Sequence, residues 1–288
     1  MAIESLRALM EASENQDICD VIIHSDCVDR GVTKEASFEK MRALYAAIRR
    51  ARAGYDPKLR SASGMVGGDG AKMRAYVQQG KTICGDYIGQ VIAQALEMGE
   101  SNACMKCIVA APTAGSCGVL PAVLLPYQER EKLGDDTMVR AMYVAGAIGQ
   151  VVASKASIAG AAGGCQAEIG TASAMGAAAL CYLGGGDAQA VCHAAAIAIK
   201  SMLGLVCDPI AGLVEVPCVK RNAAGAMIAM SSADMALAGI RSAVPPDEVI
   251  LAMREVGDKM DVSLKETGVG GVAGTPFGQK IAEKMGMA

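Results

Sequence analysis

Residues 163–168 read G-G-C-Q-A-E, and residues 207–222 read C-D-P-I-A-G-L-V-E-V-P-C-V-K-R-N. What lies between and after these strings decides the fold. Residues 166–183 and 187–205 are Ala-rich runs with Leu, Ile and Met, and residues 219–240 continue in the same way. Such runs favour helices. Pro209, Gly212 and Pro217 forbid a continuous helix between Cys207 and Cys218. The sequence therefore predicts helices broken by loops, with Cys165, Cys207 and Cys218 at the loop–helix junctions, separated by 42 and 11 positions. Cys165 and Cys218 stand just before helix N-termini, where the macrodipole favours a thiolate.

The rest of the composition agrees. Of 288 residues, 52% are apolar but only 3% aromatic, and Trp is absent. The core must then be built from Ala, Val, Leu, Ile and Met, packed through small side chains. We expect an all-α fold: one compact helical domain over residues 1–288, in which residues 1–60 form a helical N-terminal segment. No internal repeat or linker interrupts it. A net charge of −3 argues against general nucleic-acid binding. The N-terminal M-A-I-E-S-L-R lacks the apolar run of a secretory leader. With eleven cysteines, an odd number, this points to a reduced cytoplasm and metal-binding or reactive thiols rather than a disulfide framework. Residues 156–199 contain no Lys or Arg, yet glycines, Gln166, Glu168 and Asp187 break them up. No run reaches the ~18–20 apolar residues of a spanning helix, so no membrane segment is expected.

Other stretches carry weaker signals. Residues 18–25 fit a strand or a helical turn. Residues 37–53 predict a helix with Ser37 as N-cap and a solvated basic end at Arg49, Arg50 and Arg52. S-G-M-V-G-G-D-G, residues 63–70, reads either as an anion cradle of backbone N–H groups or as a tight turn capped by Asp69. Cys104 and Cys107 have CxxC spacing, but zinc would need two more ligands and the only histidines are His24 and His193. Two half-buried thiols are the simpler reading. In residues 111–118, Thr113 and Ser116 offer hydroxyls, and Gly115 and Gly118 let a ligand approach the backbone. A helix is expected to start near Val119, so this loop is a candidate carboxylate site. Lys200 closes the apolar run A-A-A-I-A-I-K, seven residues before Cys207.

The two opening strings, both cysteine spacings, and residues 63–70, 111–121 and 265–273 (K-E-T-G-V-G-G-V-A) together resemble the iron–sulfur-dependent L-serine dehydratases. The resemblance is to the alpha chain of the two-subunit type, and it covers most of the chain beyond about residue 60. It implies that Cys165, Cys207 and Cys218 hold a [4Fe–4S] cluster. One iron without a protein ligand would act as Lewis acid on the hydroxyl of L-serine, giving pyruvate and ammonia without pyridoxal phosphate. Thr113, Gly115, Ser116 and Gly118 become the substrate-binding candidates. Lys200 is the first candidate for the base that removes the Cα proton, with Glu168 the alternative. Single-chain relatives carry a further C-terminal cysteine and a second module with a regulatory fold. This chain ends G-M-A and shows no such module, so a separate beta subunit and an oligomer are implied. Three alternatives remain: a related lyase acting on cysteine or threonine, an electron-transfer or scaffold protein, and a pyridoxal enzyme of similar range. Electron-transfer clusters usually take four cysteines, often in a compact motif, so three widely spaced ones favour catalysis.

Overall fold

The computed structural model describes residues 3–287. It is all-α, as expected, with thirteen α-helices and no strand among the described residues. These are α1 Leu6–Ala12, α2 Ile18–Arg30, α3 Lys34–Ala53, α4 Asp69–Gln78, α5 Gly85–Ala103, α6 Val119–Glu131 and α7 Asp135–Lys155. They continue with α8 Gly160–Gly163, α9 Thr171–Leu183, α10 Ala188–Met202, α11 Cys218–Leu237, α12 Pro246–Lys259 and α13 Pro276–Lys284. Among the described residues, the one element of sheet character is an isolated parallel bridge between Cys207 and Lys265.

The organising helix is α9, whose sequence T-A-S-A-M-G-A-A-A-L-C is buried without a break from Thr171 to Cys181. Helices α6, α7, α10 and α11 surround it. Small residues make this possible. A Cβ added at Gly176 would touch Ala229 Cβ at 3.2 Å and Val123 Cγ2 at 3.3 Å, so α6 and α11 both lie close against α9 at that point. With few aromatics, dispersion contacts between many small groups replace contacts between a few large ones. Leu6, Leu9, Ile22 and Tyr45 of the N-terminal helices belong to the same apolar cluster as Ala174 and Ala178 of α9. No helix among the described residues is long and apolar enough to cross a membrane.

Of the two readings open for residues 18–25, the helical one holds: they lie inside α2, capped by Asp17. Two local expectations need correction. Helix α3 starts at Lys34 with Thr33 as N-cap, and Ser37 lies one turn inside. The Ser37 hydroxyl works sideways instead, bonding Asp26 and, at 2.6 Å, the Tyr143 hydroxyl. Finally, the run from Gln166 opens not as α-helix but as a π-turn, Gln166–Gly170, before α9 begins. Such turns often occur where a side chain is re-aimed at a functional site, and this one carries Glu168.

Candidate active site

Each of the three cysteines is positioned by a different device. Cys165 follows Gly164, whose φ of +75° suits glycine; a Cβ there would lie 2.6 Å from the Met260 side chain. The Gln166 side chain then anchors the turn, donating to Met253 O and accepting from Gly204 N, both at 2.9 Å. Cys207 is held by its backbone. Its N–H donates to Leu264 O at 2.8 Å and its carbonyl accepts from Glu266 N at 2.7 Å. Residues 261–275 thereby form a strap along the Cys207 loop. Cys218 opens α11 directly after the cis Val216–Pro217 bond.

All three thiols are buried, at 3%, 3% and 9% exposure, and free. Their charges act on one another: Cys165 on both others, and Cys218 on Cys207. Burial is the main cause that raises each pKa, to about 11 for Cys165, about 12 for Cys218, and higher still for Cys207. Without a cation the thiols are therefore protonated, and binding a metal would release those protons. Among the described residues, no three His, Cys, Asp or Glu side chains are arranged to hold a single metal ion. A cluster makes a different demand, because each thiolate binds its own iron and the sulfurs stand apart around the group. Three buried thiols from three separate segments, whose charges would act on one another once ionised, fit that donor set.

Glu168 sits at the edge of this group. Its Oε2 accepts from Cys207 Sγ at 3.8 Å and its Oε1 accepts from Thr113 Oγ1 at 2.6 Å. Burial raises its pKa, the Thr113 and Cys207 contacts oppose that, and Glu266 adds to it. A Cβ on Gly160 would reach Glu168 Oε2 at 2.7 Å and Cys207 Sγ at 2.8 Å, so the bare glycine keeps this corner open.

The 111–118 loop reaches the site through Thr113 and Gly115. Thr113 touches Glu168, and a Cβ on Gly115 would lie 3.3 Å from Glu168 Oε1. Ser116 is fully buried, and its hydroxyl contacts Ala111 O and Thr113 O within the loop. The Gly118 N–H donates to Asn222 Oδ1 at 2.8 Å. Asn222 Nδ2 donates in turn to Gly115 O at 2.8 Å and to Cys218 O at 3.0 Å. The structure thus gives Ser116 and Gly118 framework partners, and Asn222 ties this loop to the helix of Cys218. Sequence reasoning passed over Asn222 and Arg221, although both stand within one turn of Cys218, where i+3 and i+4 neighbours meet.

Lys200 is not brought to this group. It is exposed at the end of α10, and its charge acts on His193. The 63–70 loop is already filled by the protein's own carboxylates. Glu100, 2% exposed, accepts from Asp69 N at 2.6 Å and Gly70 N at 3.2 Å, and Glu215 accepts from Ser61 and Ser63. The N–H cradle read from sequence exists, with an internal ligand. Cys104 faces Glu100 and Glu215, outside the three-thiol group. A cavity of about 870 Å³ opens elsewhere, lined by the Arg52–Glu129 and Arg74–Glu97 pairs and by none of the three cysteines.

The profile of the family described as serine dehydratase alpha chain matches residues 4–273. The chain is 46% identical over 287 residues to the probable L-serine dehydratase, alpha chain, of Bacillus subtilis, covering 98% of this chain and 94% of that protein. It is 50% identical over 217 residues to the L-serine dehydratase, alpha chain, of Peptoniphilus asaccharolyticus, covering 75% and 74%. With L-serine dehydratase 1 of Escherichia coli it shares 45% identity over 183 residues, 62% of this chain and 40% of that protein. The chain belongs to the serine dehydratase alpha chain family.

Proposed function

We propose, with that membership as premise, that the chain is the catalytic subunit of an L-serine dehydratase. It converts L-serine to pyruvate and ammonia in the cytoplasm, with a [4Fe–4S] cluster on Cys165, Cys207 and Cys218 and a separate beta subunit. The observation that supports this reading is that three buried thiols from three separate segments lie within electrostatic reach of one another, with Glu168 against Cys207. When bound, the cluster supplies a Lewis-acidic iron that draws electron density from the serine β-hydroxyl and eases its departure.

The chain's own residues do the rest. Glu168 takes the Cα proton. Burial raises its pKa towards the working pH, which makes the carboxylate a stronger base than an exposed glutamate. The Thr113 hydroxyl fixes Oε1, so that Oε2, on the Cys207 side, is the oxygen that faces the substrate. The exposed edge of the loop at Thr113–Gly115 meets the substrate carboxylate, while Ser116, Gly118 and Asn222 hold that edge in place. Loss of Cα–H and hydroxide leaves aminoacrylate, which tautomerises to the imine and hydrolyses to pyruvate and ammonia. The Lys200 side chain, exposed and near His193, has no part in this scheme. Two relatives named as alpha chains, and a longer relative of which the match covers 40%, support a second polypeptide that completes the machinery.

The test is anaerobic reconstitution with iron and sulfide, together with the beta subunit. The expected result is visible absorption of the cluster and pyruvate release from serine, both lost in Cys207→Ser. Full pyruvate release by Cys207→Ser, or turnover that depends on added pyridoxal phosphate, refutes the reading.

A further inference from the structure

Helix α11 begins at Cys218, and Arg221 is its fourth residue. Arg221 Nη1 donates to Val206 O at 2.7 Å, and Nη2 pairs with Asp208 Oδ1 at 2.8 Å. Val206 and Asp208 are the two neighbours of Cys207. One planar group therefore grips both flanks of one thiol while growing from the helix that carries a second. The third thiol faces the same guanidinium, whose charge acts on Cys165 and on Cys218. The grip is itself fixed. Asp208 is 4% exposed and its other oxygen accepts from Val272 N of the strap at 2.8 Å. The Arg221 side chain is 17% exposed.

We propose that Arg221 is a positioning residue that holds the three cysteines as one receptor for an iron–sulfur group and keeps a fixed positive charge against it. The inference rests on the cluster reading above. Its physical content is the shape of the side chain. A guanidinium presents several N–H donors in a rigid fork and can bond two partners at once, whereas a lysine ammonium is a point donor on a flexible stem. Lysine at this position keeps the charge but reaches one flank of Cys207 at a time. The charge has a separate effect. A group held by thiolates gains negative charge on reduction, and a nearby cation favours the reduced form, so hydrogen bonds and charges around the sulfurs set the potential.

The experiment uses the full chain, reconstituted anaerobically with iron and sulfide, as wild type, Arg221→Lys and Arg221→Met. Three quantities are read: the rate at which an iron chelator bleaches the visible absorption, the midpoint potential, and the thermal unfolding of the cluster-free chain. Loss of an outer-shell partner typically costs about 10–100-fold in metal affinity. Both variants should therefore bleach at least about 10-fold faster than wild type. Arg221→Met should also show a lower midpoint potential, while Arg221→Lys stays near the wild-type value. Because Arg221→Met strands a buried carboxylate, the double variant Arg221→Met/Asp208→Asn takes its place in the chelator test if the single variant does not fold. Wild-type bleaching rates in both variants overturn the proposal, and so does an unchanged potential in Arg221→Met. A wild-type chain that takes up no iron–sulfur group refutes the functional reading itself and this inference with it, a failure distinguishable from the other two.

Discussion

Replacing Gly160 with Ala puts one methyl group into the corner between Glu168 and Cys207. The new Cβ would stand 2.7 Å from Glu168 Oε2 and 2.8 Å from Cys207 Sγ. Non-bonded heavy atoms settle at about 3.5–4.0 Å, so the carboxylate or the thiol must retreat by roughly 1 Å. The backbone does not oppose the change, since Gly160 is not among the residues with positive φ. The stability cost is then overpacking, about 1–3 kcal/mol, reduced by the roughly 0.5–1 kcal/mol that Ala gains over Gly in a helix. The effect on turnover is larger. A misplacement of about 1 Å at a reacting group can cost about 100-fold, so kcat for pyruvate formation should fall by about that factor in the reconstituted enzyme, with the chain still folded. Gly146→Ala on α7 is the matched control. Nothing lies within 4 Å of its added Cβ, so it should stabilise by roughly 0.5–1 kcal/mol and leave kcat alone. Wild-type kcat and iron content in Gly160→Ala would show that Glu168 and Cys207 do not act together at this corner.

Glu168→Gln removes a carboxyl whose folded pKa lies above its ordinary value of 4.5. Folding disfavours the ionised form, so the wild type is penalised above that pH and unpenalised below it. The variant should unfold at a higher temperature than wild type at pH 7–8, with the gap closing as pH falls towards 4.5, while pyruvate formation drops by about 10²–10⁴-fold. Asn222→Ala leaves Gly118 N–H and two carbonyls short of a partner in a buried place, and should cost about 2–4 kcal/mol in urea unfolding. Gly271→Ala forces a side chain onto a left-handed residue (φ +61°) and against the Asp208 carboxylate. Limited proteolysis should then cut within residues 261–275 faster than in wild type, with the helical core intact; equal cutting rates would mean that the strap is not keyed to Asp208.

Much of this architecture is legible from local chemistry. Ala-rich runs punctuated by Gly and Pro specify helices and their ends, because propensity and backbone restriction act within a few residues. That Cys165, Cys207 and Cys218 stand at loop–helix junctions is legible for a similar reason: each falls at a break in a helical pattern. The errors arise where a side chain is claimed by a distant partner. Ser37 looks like a cap until Asp26 and Tyr143 take its hydroxyl. Ser116 and Gly118 look like free donors until the loop folds in on one and Asn222 binds the other. The glycine-rich 63–70 loop does bind a carboxylate, but only the fold reveals that Glu100, thirty residues on, supplies it. The π-turn that aims Glu168 has no distinctive composition, since its residues would serve equally well in an α-helix.

The unbroken burial of α9 has a consequence for time scales. Its amide protons should be among the slowest to exchange with solvent, close to the rate set by global opening. The strap is different. Few backbone hydrogen bonds fasten it, and Val262 and Val269 stand in water. Deuterium uptake should therefore separate a slow scaffold from a fast rim. The Cys207 amide, bonded to Leu264 O, belongs to the rim although its thiol is buried. Small molecules such as dioxygen or a chelator would then reach Cys207 at the pace of strap opening rather than at that of core unfolding.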